Sequence, residues 1–212
     1  MDETQIVAII IALVMSVVIH EMAHGYMANW LGDPTARLAG RLSGNPLVHL
    51  DPLMSVIIPG LLVLSGSPIL FGAAKPVPYN PFNLRNQKWG EALVAAAGPA
   101  SNIALAIIFA LLVRFADVLS LNEAFTSLAV QIVMLNIFLA LFNLVPIPPL
   151  DGSKILPRLL PYNLRMSYDQ LRRRMEGNFF LSFAIIIILF VYVFSAPIVQ
   201  FTLWVTRLMI GA

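Results

Sequence analysis

The chain lacks cysteine and has few charged residues. None of its 212 residues is a cysteine, so disulfides and thiolate metal sites are excluded, and any bound metal must use nitrogen and oxygen ligands. Charged residues make up 11% of the chain and hydrophobic residues 59%, whereas soluble domains typically have about 25% and about 45–50%. The composition predicts an integral membrane protein. The net charge of +2 gives no reason to expect a nucleic-acid partner.

Histidine is also scarce, and two of the three histidines stand in one motif. Residues 20–24 read HEMAH, directly after an apolar run, 6–19, whose only polar member is Ser16. On a helix His20 and His24 lie one turn apart on the same face, where both can bind one metal ion. In the HExxH motif of zinc hydrolases the glutamate, here Glu21, is the general base. Because ionisable groups at bilayer depth are costly and mark functional sites, the motif predicts hydrolysis inside a membrane.

A catalytic zinc site needs a third protein ligand and an open coordination position. Asp151 is the favoured third ligand, because the prolines of 146–149 predict irregular backbone just before it, and such backbone at membrane depth lines a cavity or is buried in protein. Asp51 is the alternative ligand. It precedes Pro52, and a turn residue is its more ordinary role there.

Apolar runs predict a single domain, 1–212, that is an all-α polytopic membrane protein with about five to six membrane helices or re-entrant segments. The predicted helices cover 4–31, 91–115, 124–145 and 179–196, with a short last segment at 198–210 after Pro197; segment 53–71 is either a kinked span or re-entrant, and 75–81 is a proline-rich loop. Alternating polar and apolar residues over 37–46 predict a short β-hairpin after the first helix. Its strand could pair with an unwound substrate.

The distribution of basic residues predicts the orientation in the membrane. If 53–72 is re-entrant and the N-terminus is outside, 11 of the 13 lysines and arginines lie in 32–90 and 147–176, on the cytoplasmic side. If that segment spans the membrane and the N-terminus is inside, 9 of 13 face the cytoplasm. The first arrangement is preferred.

Three motifs together resemble the site-2 protease family of intramembrane metalloproteases. They are HEMAH at 20–24, GPASN at 98–102, and the segment from Asn143 to Gly152 that contains LDG. The resemblance covers nearly the whole chain and points to the compact branch without a PDZ or CBS domain. It implies one Zn²⁺ per chain held by His20, His24 and Asp151, with Glu21 as the catalytic base.

The same resemblance implies regulated intramembrane proteolysis. The substrate would be a membrane-spanning protein, such as an anti-sigma factor or a signal-peptide remnant, in the lipid bilayer of a prokaryotic plasma membrane. The active site would lie towards the cytoplasmic side. The alternative function is a non-catalytic pseudoprotease that binds membrane helices, but the intact Glu21 argues against it, since a structural zinc site needs no general base.

Three further polar residues have two interpretations each. Asn143 could bind the substrate backbone or stabilise the oxyanion, or it could satisfy carbonyls freed by the following prolines. Asn102 could also take part in substrate binding, although a hydrogen bond between packed helices is the more ordinary role for a polar residue in a bilayer. His49 could support the metal site or contact substrate, or it could be a simple loop histidine.

Overall fold

The computed structural model describes residues 3–50, 57 and 74–211, and in these residues it contains helices and loops but no β-strand. The α-helices are α1 (Glu3–Trp30), α2 (Thr35–Leu38), α3 (Gly90–Arg114), α4 (Glu123–Leu144), α5 (Gly152–Leu159), α6 (Tyr162–Glu176), α7 (Phe179–Leu189) and α8 (Ser195–Ile210). Two 3₁₀ turns cover Pro46–His49 and Pro81–Asn83. A π-helical segment, Phe190–Phe194, joins α7 to α8.

Four of the described helical stretches are long and apolar enough to cross a membrane. They are Glu3–Trp30, Gly90–Arg114, Glu123–Asn143 and Ala184–Ile210. The described part of the chain is therefore all-α, and the chain is a multi-pass membrane protein, as its apolar runs predicted. The helices predicted over 4–31, 91–115 and 124–145 are confirmed to within one residue at each end. The predictions for 53–71 and for Asp51 lie outside the described residues.

The predicted β-hairpin at 37–46 is wrong. Residues 35–38 form the single turn α2, and Gly40 follows with a φ of +67°. The alternation does not mark a half-buried strand, because Leu38 is 78% exposed while Arg41 is only 7% exposed. The Arg41 guanidinium donates to the carbonyl oxygens of Val48 and Lys75, the latter at 2.6 Å. Tertiary hydrogen bonds, and not a strand ladder, therefore organise this segment.

The predicted break at Pro197 is also wrong. Pro197 lies in the first turn of α8, inside a helical stretch that continues from α7 through the π-helical segment. A proline inside a helix removes one backbone hydrogen bond, and here a π-helical segment, Phe190–Phe194, stands just before it. The two predicted apolar segments at 179–210 therefore contribute one candidate span, which reduces the expected number of spans.

Helix α3 is the centre of the membrane part, because it packs against both α1 and α4. Its contact with α4 is a core cluster of Ala106, Ala110, Val133 and Ile137. Small residues let helix backbones approach closely, which is the main source of attraction between helices in lipid. Helix α8 packs against both α4 and α3, with Val205, Met209 and Ile210 against this cluster. The close packing of α1, α3 and α4 fixes the positions of the polar residues that they carry.

The loops at the C-terminal end of α1 are tied to the start of α3. Arg85 N–H donates to the Leu31 carbonyl at 2.8 Å, and Lys75 N–H donates to the His49 carbonyl at 2.8 Å. Buried Asp33 accepts hydrogen bonds from Thr35, Asn80 and Asn83. Residues 31–50 and 74–90 therefore lie at the same end of the helix bundle.

Candidate active site

The HExxH histidines and Asp151 converge at one point. His20 Nε2 and His24 Nε2 are 3.0 Å apart, and they lie 3.2 and 3.3 Å from Asp151 Oδ2. His20 is 6% exposed and Asp151 is 7% exposed. The two histidines come from successive turns of α1. The structure thus brings together the three residues that the sequence predicted as metal ligands.

The outer nitrogens of both imidazoles are held by groups on α3. His20 Nδ1 lies 2.6 Å from Asn102 Oδ1, and His24 Nδ1 lies 2.7 Å from the Val94 carbonyl oxygen. Both partners are oxygen acceptors, so each ring carries its proton on Nδ1 and presents the lone pair of Nε2 to the centre. This is the arrangement by which metal-binding histidines are usually oriented.

The close approach of α3 to the imidazoles depends on Gly98. A Cβ atom at this position would lie 2.5 Å from His24 Nε2 and 2.6 Å from His20 Cε1. Any larger residue would overlap both rings. Gly98 therefore sets the distance between the two helices at the site.

Asp151 is placed by the irregular segment between α4 and α5. A Cβ atom on the following residue, Gly152, would lie 2.1 Å from the Leu144 carbonyl oxygen, so only glycine permits the chain to fold back against the end of α4. Asp151 occupies the N-cap position of α5, but its side chain makes no capping hydrogen bond. The carboxylate is therefore directed to the histidines and not to its own helix.

These three residues fit a metal ion chemically. Two Nε2 lone pairs and the Asp151 Oδ2 atom face one another, and Oδ2 is buried without a hydrogen-bond donor. Three electron-rich atoms at this separation need a cation between them, and two imidazoles with one carboxylate are a ligand set of catalytic zinc.

Glu21 lies next to the cluster in sequence but has a different partner. Its Oε2 atom accepts a hydrogen bond of 2.9 Å from the backbone N–H of Val77. Val77 is buried and stands between Pro76 and Pro78 in the loop that precedes α3. The loop therefore holds the Oε2 atom of Glu21, while the Oε1 atom takes no part in this hydrogen bond.

The remaining candidate residues occupy separate places. Asn102 is fully buried and contacts His20 directly. Asn143 donates from its amide to the Leu139 carbonyl at 3.0 Å, one turn back on its own helix. His49 is 1% exposed, and its Nε2 lies 2.8 Å from the Ser43 carbonyl oxygen. In the described contacts, only Asn102 of these three touches a predicted metal ligand.

Sequence reasoning missed Asn136, which is fully buried on α4 and contacts Asn102. It lies in an apolar helix and carries no motif, so its signal was only that it is a polar residue at the middle of a span. Such a residue must find a partner inside the protein.

A charged cluster surrounds Glu91 at the start of α3. Glu91 pairs with Arg158 at 3.0 Å and with Arg172 at 3.0 Å. Lys154, one turn after Asp151, lies 5.4 Å from the centre of the Tyr79 ring. Burial lowers the pKa of Lys154, but its electrostatic interactions with Tyr79, Asp151 and Glu91 outweigh burial and raise it overall. This cluster binds the loop before α3 and the α5–α6 region to the same end of the bundle.

An HExxH helix, a distant aspartate and a membrane-spanning bundle define a membrane-bound metallohydrolase. Comparisons with known proteins give the family. The sequence profile of peptidase family M50 matches residues 8–127 and 116–191. The chain therefore belongs to peptidase family M50, the site-2 protease family, and is a zinc metalloprotease.

Relatives with assigned names agree with this membership. YwhC of Bacillus subtilis (strain 168), provisionally named a zinc metalloprotease, is 35% identical over 92% of this chain and 84% of its own length. Rip2 of Mycolicibacterium smegmatis, with the same provisional description, is 31% identical over 75% of this chain and 60% of its own length. Zinc metalloprotease MJ0392 of Methanocaldococcus jannaschii is 26% identical over 85% of this chain and 41% of its own length. No solved structure matches the chain.

Proposed function

We propose that this zinc metalloprotease cleaves peptide bonds within or next to the transmembrane segments of membrane proteins. The observation that carries the proposal is the position of the site. Both histidines lie in the candidate span Glu3–Trp30, and the cluster that they form with Asp151 is buried between helices. Substrates that are themselves in the bilayer have the most direct access to such a site.

In this proposal His20, His24 and Asp151 hold the zinc ion. Their converging Nε2 and Oδ2 atoms support this assignment, as do the acceptors that fix both Nδ1 atoms. When bound, zinc supplies Lewis acidity, which polarises a carbonyl oxygen and lowers the pKa of a water molecule at the open position.

Glu21 is the general base in the same proposal. It takes a proton from the attacking water and returns it to the nitrogen of the leaving amine. The hydrogen bond from Val77 N–H to Oε2 holds the carboxylate in place beside the ligand helix. Low local polarity strengthens the interactions of this carboxylate with a developing charge.

The substrate must be presented in extended form, because a peptide bond within a helix is shielded by the helix itself. Glycine and proline lower the cost of unwinding, by about 1 and about 3 kcal/mol relative to alanine. We therefore expect cleavage near helix-weakening residues of a single-pass membrane protein.

The active site is proposed to face the cytoplasm. The segments tied to the site end of the bundle, 31–50, 74–90 and 145–176, carry most of the basic residues of the chain. Arg114 lies at the far end of α3, beside Gly211 at the end of α8. An excess of lysine and arginine marks the cytoplasmic side, and the plasma membrane of a prokaryote is the proposed location.

The test is cleavage of a reporter by purified wild type and Glu21→Gln, with the zinc content of both measured. The reporter is a single-pass segment with a central glycine pair, supplied in lipid vesicles, and the same scissile sequence is supplied as a soluble peptide. Glu3→Gln, which makes the same change in the first turn of α1, is the matched control. We expect equal zinc in all three proteins and cleavage of the vesicle reporter by wild type and Glu3→Gln alone.

Two results would contradict the proposal. Substantial cleavage by Glu21→Gln would remove Glu21 as the base. Cleavage of the soluble peptide with none of the vesicle reporter would reject the intramembrane substrate while leaving the zinc protease intact.

A further inference from the structure

We propose that Asn136 is a positioning residue that fixes the tautomer of His20 through Asn102. The inference rests on the proposed function only in taking His20 as a zinc ligand. Four buried polar residues carry it: Ser16 and His20 on α1, Asn102 on α3 and Asn136 on α4. Their hydrogen bonds form one connected network across the three helices.

One end of the network is the backbone carbonyl of Ile132, which can only accept a hydrogen bond. The Asn136 side chain lies 3.0 Å from the backbone carbonyl oxygen of Ile132, so its Nδ2 atom must point there. The same Nδ2 atom also reaches Ser16 Oγ at 3.0 Å. With both donors of the amide directed in this way, the Oδ1 atom of Asn136 faces Asn102.

The orientation of the Asn136 amide in turn fixes the orientation of the Asn102 amide. Asn136 Oδ1 lies 2.9 Å from Asn102 Nδ2, which must therefore be the donor. The same Nδ2 atom lies 3.5 Å from the Ser16 backbone carbonyl oxygen, a second group that can only accept. Asn102 Oδ1 is then left facing His20 Nδ1 at 2.6 Å.

Only one tautomer of His20 fits this network. Since Asn102 Oδ1 accepts, Nδ1 of His20 must carry the proton, and Nε2 keeps the lone pair that a metal ion needs. The reversed network would direct the Asn136 oxygen at the Ile132 carbonyl oxygen and an Asn102 N–H at His20 Nδ1. That arrangement places two acceptors against each other at buried side chains and puts the histidine proton on Nε2.

Asn136 thus acts on zinc binding without touching the metal site. Replacing Asn136 with leucine, which is similar in size, removes both its donors and its acceptor. Asn102 Nδ2 then keeps only the long contact of 3.5 Å with the Ser16 carbonyl oxygen, so the amide can turn over and donate to His20 Nδ1. Loss of an orienting group of this kind typically weakens metal binding by about 10–100-fold.

The test compares Asn136→Leu with Val133→Ala in the same helix. Val133 is fully buried and packs on Ala106 and Ala110, so its truncation weakens the α3–α4 contact without touching the network. Zinc affinity is measured by competition with a chelator. The histidine tautomers of the zinc-free proteins are measured by ¹⁵N NMR at neutral pH.

The chain has only three histidines, and His49 serves as the internal reference in the NMR experiment. His20 and His24 are expected to carry a proton on Nδ1, while His49, whose Nε2 faces the Ser43 carbonyl, is expected in the Nε2–H form. In Asn136→Leu we expect zinc affinity to fall about 10–100-fold, with the Nδ1–H signal lost for His20 alone. Val133→Ala should keep both properties of the wild type.

Wild-type affinity and an unchanged His20 tautomer in Asn136→Leu would overturn the inference. An equal loss of zinc affinity in Val133→Ala would overturn it too, since general loosening would then explain the effect. The NMR measurement on the zinc-free proteins distinguishes failure of this inference from failure of the proposed function. If the wild type bound no zinc but Asn136→Leu still shifted the His20 tautomer, the positioning role would stand and the ligand assignment would fall.

Discussion

The protein contains two polar clusters that are built from chemically different groups. The network of Ser16, His20, Asn102 and Asn136 lies within the spans and consists of a hydroxyl, an imidazole and two amides. The cluster of Glu91, Lys154, Arg158 and Arg172 lies at the helix ends and consists of ions. The first is fully enclosed, whereas the side chains of Glu91 and Arg172 remain 15% and 18% exposed.

The difference shows what each kind of group can provide. An amide is neutral, so its burial costs less than that of an ion, and its donor and acceptor are distinct, so it can orient a neighbour. A charge attracts from many directions but orients weakly. The protein therefore uses amides where a histidine tautomer must be fixed and ions where loops and helices only need to be held together.

The largest expected effect comes from breaking the close approach at Gly98. In Gly98→Ala the new methyl group would lie 2.5 Å from the His24 imidazole, and the displaced ligands should reduce proteolysis by about 100-fold or more, the usual cost of a 1 Å misplacement. Reporter cleavage and zinc content check this. Gly44→Ala, where no atom lies within 4 Å of the added methyl, should behave as wild type. Normal zinc affinity and cleavage in Gly98→Ala would mean that α1 and α3 can separate without cost.

A smaller effect is expected at Asp33, where an ion is buried but is held by directed donors. Burial opposes its ionisation, but hydrogen bonds from Thr35, Asn83 and Asn80 outweigh burial and hold the pKa of the carboxyl below its ordinary value. Asp33→Asn should cost about 2 kcal/mol at neutral pH, the usual range for hydrogen bonds to a charged group. Thermal unfolding in detergent measures this loss.

The pH dependence sharpens the Asp33 prediction. Since the folded pKa is the lower one, the stabilisation is complete above the unfolded value of about 3.9 and is lost as the pH falls through the folded value. The difference between wild type and Asp33→Asn should stay constant from about pH 8 to 5 and shrink only below about pH 4. Asp169→Asn, in a half-buried pair with Arg165, is the control. A difference that shrank already above pH 5 would argue against an ionised, directed carboxylate.

The smallest expected effect is at the charged cluster. Glu91→Gln leaves two arginines without their carboxylate, at a cost of about 1–2 kcal/mol, between the values for exposed and buried pairs. Arg165→Gln breaks a pair whose arginine is 37% exposed and should cost less than about 0.5 kcal/mol. Thermal unfolding at low and high salt distinguishes the two. Equal losses in both variants would show that Glu91 is no better shielded from water than Asp169.

The parts of this fold that depend on local pattern could be predicted from the sequence. The apolar runs gave three spans to within one residue, because the length of a membrane helix is set by the bilayer. The clustering of His20, His24 and Asp151 could be predicted because the two histidines share a helix face and because few carboxylates compete with Asp151.

The parts that depend on contacts between distant segments could not be predicted. Arg41 bonds to carbonyls of residues 48 and 75, so alternation around it was mistaken for a hairpin. Asn136 is one polar residue in an apolar helix, and only the packing of α1, α3 and α4 shows which neighbour it orients. Pro197 was taken as a break because the π-helical segment that accommodates it has no sequence signature.

The hydrogen bond from Val77 to Glu21 also constrains the length of the loop before α3. Pro76 and Pro78 have no backbone N–H, so Val77 is the one residue of 76–78 that can donate to the Glu21 carboxylate. A shift of this loop by one residue in either direction would bring a proline to that place and leave the carboxylate without its donor. Surface loops usually tolerate such changes in length. Here the register of an extramembrane loop is tied to a residue inside the membrane helix, so length variation should be accepted on either side of 76–78 but not within it.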